Sequence, residues 1–253
     1  MGAVVFVSHM SDQIFFHGLQ YGIYVLELVL FVLLARCGRW TRLKGLCLYV
    51  LLLFVVDGVA RAAVLHYFGL ESTQYRYFYW LTDVVLALGA FLLICAFFWR
   101  ACAREDKLWA FTRLLLVFAF ILVLGISALF LSRGYTHLFT HFIIEFSQNL
   151  YFTCLVLNTL LYVMIQQLSI DDEELGFLVC GIGVQFAGEA ACLALLRLTF
   201  AENLPRVLLS LLGPTCTLGM LLIWSYAIVK KPEAVPVRSL VGKQAALAEA
   251  VSH

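Results

Sequence analysis

The sequence predicts an all-α, polytopic integral membrane protein with seven transmembrane helices, and three observations support this fold class. Hydrophobic residues make up 63% of the 253 residues and charged residues only 13%, whereas soluble domains average about 45–50% and about 25%. The apolar residues fall in seven runs, each near the roughly 20 residues needed to cross about 30 Å of hydrocarbon. The connections between the runs are short, so we expect a single domain covering 1–253 with no soluble module.

The seven predicted spans are apolar runs separated by polar connections. In chain order they are Ile14–Ala35, Gly45–Tyr67, Tyr77–Trp99, Leu108–Leu131, Leu138–Ile165, Gly176–Phe200 and Val207–Val229. No basic leader or cleavage site precedes the first run, so we interpret it as a retained helix, with Met10 as an alternative start to Met1. The tail 230–253 is short and simple in composition, and we expect no catalytic unit there.

Lysine and arginine residues predict the orientation of the chain. Eleven lie in the connections 36–44 and 100–107 and in the tail, whereas three lie on the opposite side. Because cytoplasmic connections carry the excess of basic residues, we expect the N-terminus outside and the C-terminus in the cytoplasm, with the cell membrane as the location. The connection 171–174 is acidic although it lies on the predicted cytoplasmic side. A net charge of +1 argues against nucleic acid as a partner.

Five carboxylic acids inside the predicted spans are the most informative functional feature. A charged side chain in hydrocarbon costs about 2.5–3.5 kcal/mol on insertion scales, so each one needs a partner, water or a function. The five are Glu27, Asp57, Asp83, Glu145 and Glu189. Arg61 is the one basic residue of comparable depth, so the acids outnumber their counter-charges and predict a polar interior.

The first span carries a polar stripe. His17, Gln20, Tyr24 and Glu27 are spaced three or four residues apart, which places them in one narrow arc of a helix. Because lipid cannot form hydrogen bonds with them, we expect the stripe to face other helices or a cavity. Two interpretations follow: hydrogen bonding between helices, or the wall of a binding cavity.

The second span contains opposite charges one turn apart. Asp57 and Arg61 are four residues apart, and this spacing predicts an ion pair within one helix. Such a pair lowers the cost of burying both groups, so a structural role is sufficient. The functional alternative is that Arg61 holds an anionic ligand while Asp57 orients it.

The fifth span has the most polar residues of the seven. His137 and His141 share a face with Glu145 one turn further on, and Gln148 and Asn149 follow. Histidines at this spacing can bind a metal ion such as zinc, although no His-Glu-x-x-His motif is present. The alternatives are a titrating or ligand-binding cluster and histidines that are simply hydrated or packed.

The sixth and seventh spans combine small and polar residues. Gln185 and Glu189 share a face within a run of glycines and alanines that predicts close helix packing. Pro214 predicts a bend or hinge in the seventh span. We expect Asp83 to be hydrated near the outer surface, and we find no partner on the same helix for Glu27, Glu145 or Glu189.

The motifs of well-known seven-helix families are absent. The last span has no mid-helix lysine for a retinal Schiff base, and the Asp-Arg-Tyr and Asn-Pro-x-x-Tyr motifs of rhodopsin-like receptors are missing. Because the acids inside the spans outnumber their counter-charges, we expect a receptor-like or sensor-like protein that binds a small ligand or cation in an acid-rich pocket of the outer half. The alternatives are a proton- or cation-coupled transporter of small molecules and a metal-dependent intramembrane hydrolase.

The sequence favours a non-enzymatic protein and indicates no cofactor other than a metal ion at the fifth-span histidines. The expected partners are the lipid bilayer, the small ligand or cation, and a cytoplasmic protein. The cytoplasmic protein would dock on the basic first connection or on the acidic connection 171–174.

Overall fold

The computed structural model describes residues 2–36, 42–69, 72–103, 106–131, 138–167, 172–198 and 206–230, and every element in these ranges is helical. The helices are α1 (Gly2–Arg36), α2 (Lys44–Phe68), α3 (Thr73–Cys102), α4 (Asp106–Leu131), α5 (Leu138–Gln167), α6 (Glu173–Leu198) and α7 (Arg206–Val229). Each contains a segment of at least 19 residues that is long and apolar enough to cross a membrane. The predicted all-α class and the seven predicted spans are confirmed to this extent.

Six of the helices form a closed ring, and α4 lies outside it. Around the ring α1 packs on α2, then α2 on α3, α3 on α5, α5 on α6, α6 on α7, and α7 again on α1. Among the described residues, helix α4 has its main contacts with α3 and α5, and most of its large apolar side chains are exposed. The interior of the bundle is therefore built by the six ring helices.

Small residues bring α6 and α7 together, as the sequence predicts. A Cβ added to Gly181 would lie 2.6 Å from Nε1 of Trp224, and one added to Gly188 would lie 2.5 Å from Sγ of Cys216. The fully buried Trp224 ring donates a hydrogen bond from Nε1 to the carbonyl oxygen of Leu178 at 2.9 Å. These close contacts explain why the sixth span has glycine at positions 181 and 188, where a larger residue would collide with a side chain of α7.

Replacing Gly181 with alanine is expected to lower the free energy of unfolding by about 1–3 kcal/mol, because the new methyl group overlaps a buried indole. The measurement is unfolding of the purified chain in mixed micelles. Gly125→Ala is the matched control, since no described atom lies within 4 Å of a Cβ there. Equal stability of the two variants would contradict the close contact.

Helix α2 is irregular at its charged residues. The segment Phe54–Arg61 is π-helical, between the α-helical segments Lys44–Leu53 and Ala62–Phe68. A π-helical turn has one extra residue per turn, is rare, and is often found at functional sites. Asp57 and Arg61 both lie in this segment, so the irregularity sets the direction of both charged side chains.

An ion-pair cluster joins helices at the end of the bundle that carries the α1–α2, α3–α4 and α5–α6 connections. Arg100 donates to Asp172 from Nε at 3.0 Å and from Nη2 at 2.7 Å, and Nη2 also donates to Glu174 at 2.9 Å. Arg42 lies 3.7 Å from Asp172 and 3.6 Å from Glu174. The acidic connection is therefore paired with basic residues of the same end.

Candidate functional site

Arg61 is the centre of a polar network between α2 and α3. Its Nη1 donates to Oδ1 of Asp57 at 2.6 Å, which confirms the predicted ion pair. Its Nε donates to Oγ1 of Thr82 at 3.0 Å, and its Nη2 lies 3.8 Å from Oδ1 of Asp83. The Arg61 side chain is only 14% exposed, so the guanidinium group is held almost entirely by protein.

The remaining contacts of Arg61 are with Tyr79. Nη2 donates to the Tyr79 carbonyl oxygen at 3.4 Å, and the guanidinium carbon lies 4.2 Å from the centre of the Tyr79 ring. All three guanidinium nitrogens therefore have acceptors within the protein. This arrangement gives little support to the alternative in which Arg61 holds an anionic ligand.

Asp83 belongs to the same network and extends it to α5. Its Oδ2 accepts a hydrogen bond from Ser147 at 2.9 Å, and its Oδ1 accepts one from the Tyr151 hydroxyl at 3.3 Å. We expected this carboxyl group to be hydrated near the outer surface, and that stays a prediction. The structure adds two hydroxyl donors of α5 and the neighbouring Arg61, which the sequence did not indicate.

Glu189 places a further carboxyl group in the interior from α6. Its Oε1 accepts a hydrogen bond from Nε2 of Gln185 at 3.3 Å, so the expectation that it has no partner on its own helix was wrong. Glu189 is close enough to interact electrostatically with Asp83, Asp57 and Arg61. A Cβ added to Gly213 of α7 would lie 3.9 Å from Oε1 of Glu189.

Glu27 is the most unusual carboxyl group in the bundle. It is fully buried on α1, and neither of its oxygens has a hydrogen-bond partner among the described residues. Asp57 is the charged group close enough to interact with it. Such a group is expensive to keep in a membrane interior and therefore needs an explanation beyond packing.

The other residues of the first-span polar stripe are His17, Gln20 and Tyr24, and they lie only partly in the interior that holds Glu27. Gln20 donates to the Tyr24 hydroxyl at 2.6 Å, a bond within α1 and not between helices. Tyr24 faces α2, because a Cβ added to Gly58 would lie 3.6 Å from its ring. The His17 side chain lies outside the described part of the structure.

Tyr49 is a further buried polar residue in the same region, and sequence reasoning missed it. It is buried on α2 and lies close enough to interact electrostatically with Asp57, Glu189 and Glu27. Its ring packs edge-on against Trp224, with centroids 6.1 Å apart. A tyrosine in an apolar run gives no periodic signal, whereas the four-residue spacing of Ser147 and Tyr151 could have indicated a shared polar face.

The fifth-span candidates differ in where the structure places them. Asn149 donates to Oγ of Ser127 on α4 at 3.3 Å, so it faces the helix outside the ring. Glu145 and Gln148 are half-buried. The side chains of His137 and His141 lie outside the described residues. Within the described ranges no three His, Cys, Asp or Glu side chains are placed to hold a metal ion.

We call Glu27, Asp57, Asp83 and Glu189 together the acidic site. Its four carboxyl groups come from α1, α2, α3 and α6. Asp57 and Asp83 lie 2.6 and 3.8 Å from Arg61. Glu189 is close enough to interact electrostatically with Arg61 and both aspartates, and Glu27 with Asp57. The site lies between the middle of the helices and the end that carries the α2–α3 connection. The acidic site is thus a polar interior in which the four carboxyl groups outnumber the one guanidinium group that the structure describes there, that of Arg61.

These features define a seven-helix bundle of apolar helices with a charged interior. Comparisons with protein-family models, with curated proteins and with solved structures find no match for this chain. The function is therefore argued from the acidic site alone.

Proposed function

We propose that this chain is a multi-pass protein of the cell membrane that binds a small cation in the acidic site, in the manner of a receptor or sensor. The observation that carries the proposal is that Asp57 and Asp83 share Arg61, while Glu189 and the fully buried, unpartnered Glu27 add two further carboxyl groups to the same interior. The three nitrogens of that arginine already have protein acceptors. The surplus of negative groups therefore favours a ligand of positive charge.

The physical environment strengthens this preference. A charge pair interacts several times more strongly in a protein interior than in water, because the effective dielectric constant is lower. Burying the carboxyl groups costs free energy, and a bound cation offsets that cost. The acidic site thus has a reason to take up positive charge from solution.

The orientation of the site follows from the basic residues. Arg42, Arg100 and Lys230 lie at the end opposite the acidic site, and the positive-inside rule assigns that end to the cytoplasm. The acidic site then lies in the outer half of the membrane. A ligand would reach it from outside the cell.

We expect small organic and inorganic cations to raise the unfolding temperature of the purified chain, because a ligand that binds only the folded state stabilises it. The measurement is thermal unfolding with a panel of K⁺, Ca²⁺, tetramethylammonium and primary amines. Glu189→Gln should reduce the shift at least fivefold, whereas Glu145→Gln, a half-buried acid outside the site, should leave it unchanged. The proposal fails if no cation stabilises the chain or if both variants respond like the wild type.

A second candidate function, cation-coupled transport, is favoured by two helix irregularities at the site. The π-helical segment of α2 contains Asp57 and Arg61, and Pro214 lies inside α7 next to Gly213, which faces Glu189. Transporters bind their substrates at interrupted helices near the middle of the membrane. Accumulation of the stabilising cation inside proteoliposomes distinguishes transport from binding alone.

A further inference from the structure

We infer that the ion pairs at the cytoplasmic end of the bundle form a closed gate, and that the described conformation opens the acidic site to the outside only. As a function, the gate rests on the proposed cation-coupled transport, because it determines from which side of the membrane the site can be reached. Three features carry the inference: the bonds at the cytoplasmic end, the dense packing next to them, and the looser packing beyond the acidic site.

Ion pairs fasten three ring helices together at the cytoplasmic end. Arg100, near the end of α3, donates to Asp172 at 2.7 Å and to Glu174 at 2.9 Å, on either side of the first residue of α6. That first residue, Glu173, accepts a bond at 2.6 Å from Lys230, which follows α7. The side chains of Arg100 and Glu174 are each only 15% exposed. Partly buried pairs are screened by salt much less than exposed ones, so these bonds hold α3, α6 and α7 together in physiological salt.

The interior between these ion pairs and the acidic site is filled with apolar side chains. Each of the six ring helices contributes at least one that is at most 3% exposed: Leu34, Leu46, Phe97, Leu161, Leu178 and Trp224. Close-packed interiors have few voids larger than a water molecule. Through the described residues, a cation in the acidic site therefore has no route to the cytoplasmic end in this conformation.

The packing beyond the acidic site is looser. Among the side chains described in the ranges 62–69, 72–81, 189–195 and 211–219, none is buried. Asp57 and Asp83 form bonds inside the bundle, yet their side chains are 27% and 21% exposed. Exposed fractions of this size require a surface that water can reach. The acidic site therefore opens toward the end that carries the α2–α3 connection.

Two helix irregularities lie at the border between the packed half and the looser half. They are the π-helical segment Phe54–Arg61 of α2 and Pro214 inside α7. Prolines and π-helical turns are places where helices bend. The outer segments of these helices can thus close over the acidic site when the cytoplasmic end opens, as alternating access requires.

The test uses two native cysteines as reporters of the two halves. Cys47 is 1% exposed and lies in the packed half of α2. Cys216 is half-buried and lies beside Gly188, the neighbour of Glu189 in the sequence. The labelling rate of each cysteine with a water-soluble maleimide is measured by mass spectrometry on the full chain in nanodiscs, without added cation.

Breaking the gate should change the two rates in opposite directions. Arg100→Met, and separately Glu174→Gln, should raise the labelling rate of Cys47 at least fivefold and lower that of Cys216 at least twofold. Arg113→Met, which removes an exposed arginine of α4, is the matched control and should change neither rate. Glu174→Gln keeps the size of the side chain and leaves Asp172 bound to Arg100, so it decides the question if Arg100→Met does not fold.

The other outcomes overturn the gate. Faster labelling of both cysteines would show that the ion pairs only fasten the bundle, and unchanged rates would show that they do not hold this end closed. Because no cation is added, failure of the gate is read independently of cation binding. Cation binding itself is judged by the thermal shifts and by the response of Glu189→Gln.

Discussion

Replacing Arg61 with methionine is expected to lower the free energy of unfolding by about 3–5 kcal/mol, the usual cost of removing one partner of a buried ion pair. Methionine keeps an unbranched apolar stem but has no guanidinium group, so Asp57 and Asp83 are left close together without their shared cation. The bond to Thr82 is lost as well. The measurement is unfolding in mixed micelles, with wild type and variant compared under the same conditions.

Two controls separate this effect from the loss of an arginine as such. Arg113→Met changes an exposed arginine on α4 and should cost less than about 1 kcal/mol, as is typical of surface positions. Adding Asp57→Asn and Asp83→Asn to Arg61→Met should restore at least half of the lost stability, because no uncompensated charge then remains near position 61. Similar losses for Arg61→Met and Arg113→Met would contradict the network.

Replacing Glu27 with leucine has the opposite expected effect, a gain of about 1–3 kcal/mol in the free energy of unfolding. A buried polar group without a hydrogen-bond partner costs about this much, and leucine removes the cost while filling similar space. The same variant should weaken cation binding at least tenfold. Gain of stability with loss of binding is the pattern expected where a residue is kept for function and not for folding.

Glu145→Leu is the matched control for that experiment. Glu145 is half-buried on α5 and is not part of the acidic site, so this variant should leave cation binding unchanged. A loss of stability in Glu27→Leu would show that Glu27 has a stabilising partner and would remove the argument that it is held for a ligand.

The fold class and the helix positions could be predicted because the features that allow a helix to cross a membrane are local. Each span must satisfy its own backbone hydrogen bonds and present apolar side chains, so the hydropathy of the run Thr73–Cys102 is sufficient to place α3. The Asp57–Arg61 pair was also predictable, because it depends on spacing within one helix. Contacts of this kind need no knowledge of how helices are arranged.

The composition of the acidic site could not be predicted, because it depends on the order of helices around the ring and on their rotation. Glu145 and Asn149 lie on the same span as Ser147 and Tyr151, yet Asn149 faces α4 while the other pair bonds to Asp83. A small rotation of α5 about its own axis would change which of its residues face α4 and which face Asp83. The π-helical segment of α2 could not be predicted either, because its valines and Gly58 weaken a helix without distinguishing a π-helical turn from an α-helical one.

The acidic connection before α6 has contacts that its local pattern does not reveal. Its charge suggested a docking surface for a cytoplasmic partner. The side chains of Asp172 and Glu174 accept hydrogen bonds from Arg100 and lie near Arg42 of the first connection. Docking of a cytoplasmic partner at this end stays a prediction.

The most direct test of the acidic site is calorimetric titration of the full chain in nanodiscs with K⁺, Ca²⁺, tetramethylammonium and butylamine. We expect saturable binding of at least one of these cations, with one ligand per chain. We expect no binding to a variant in which Glu27 and Glu189 are both replaced by glutamine, and unchanged binding to Glu145→Gln. Absence of saturable heat with the wild type, or equal binding to the double variant, would contradict the assignment of a cation to this site.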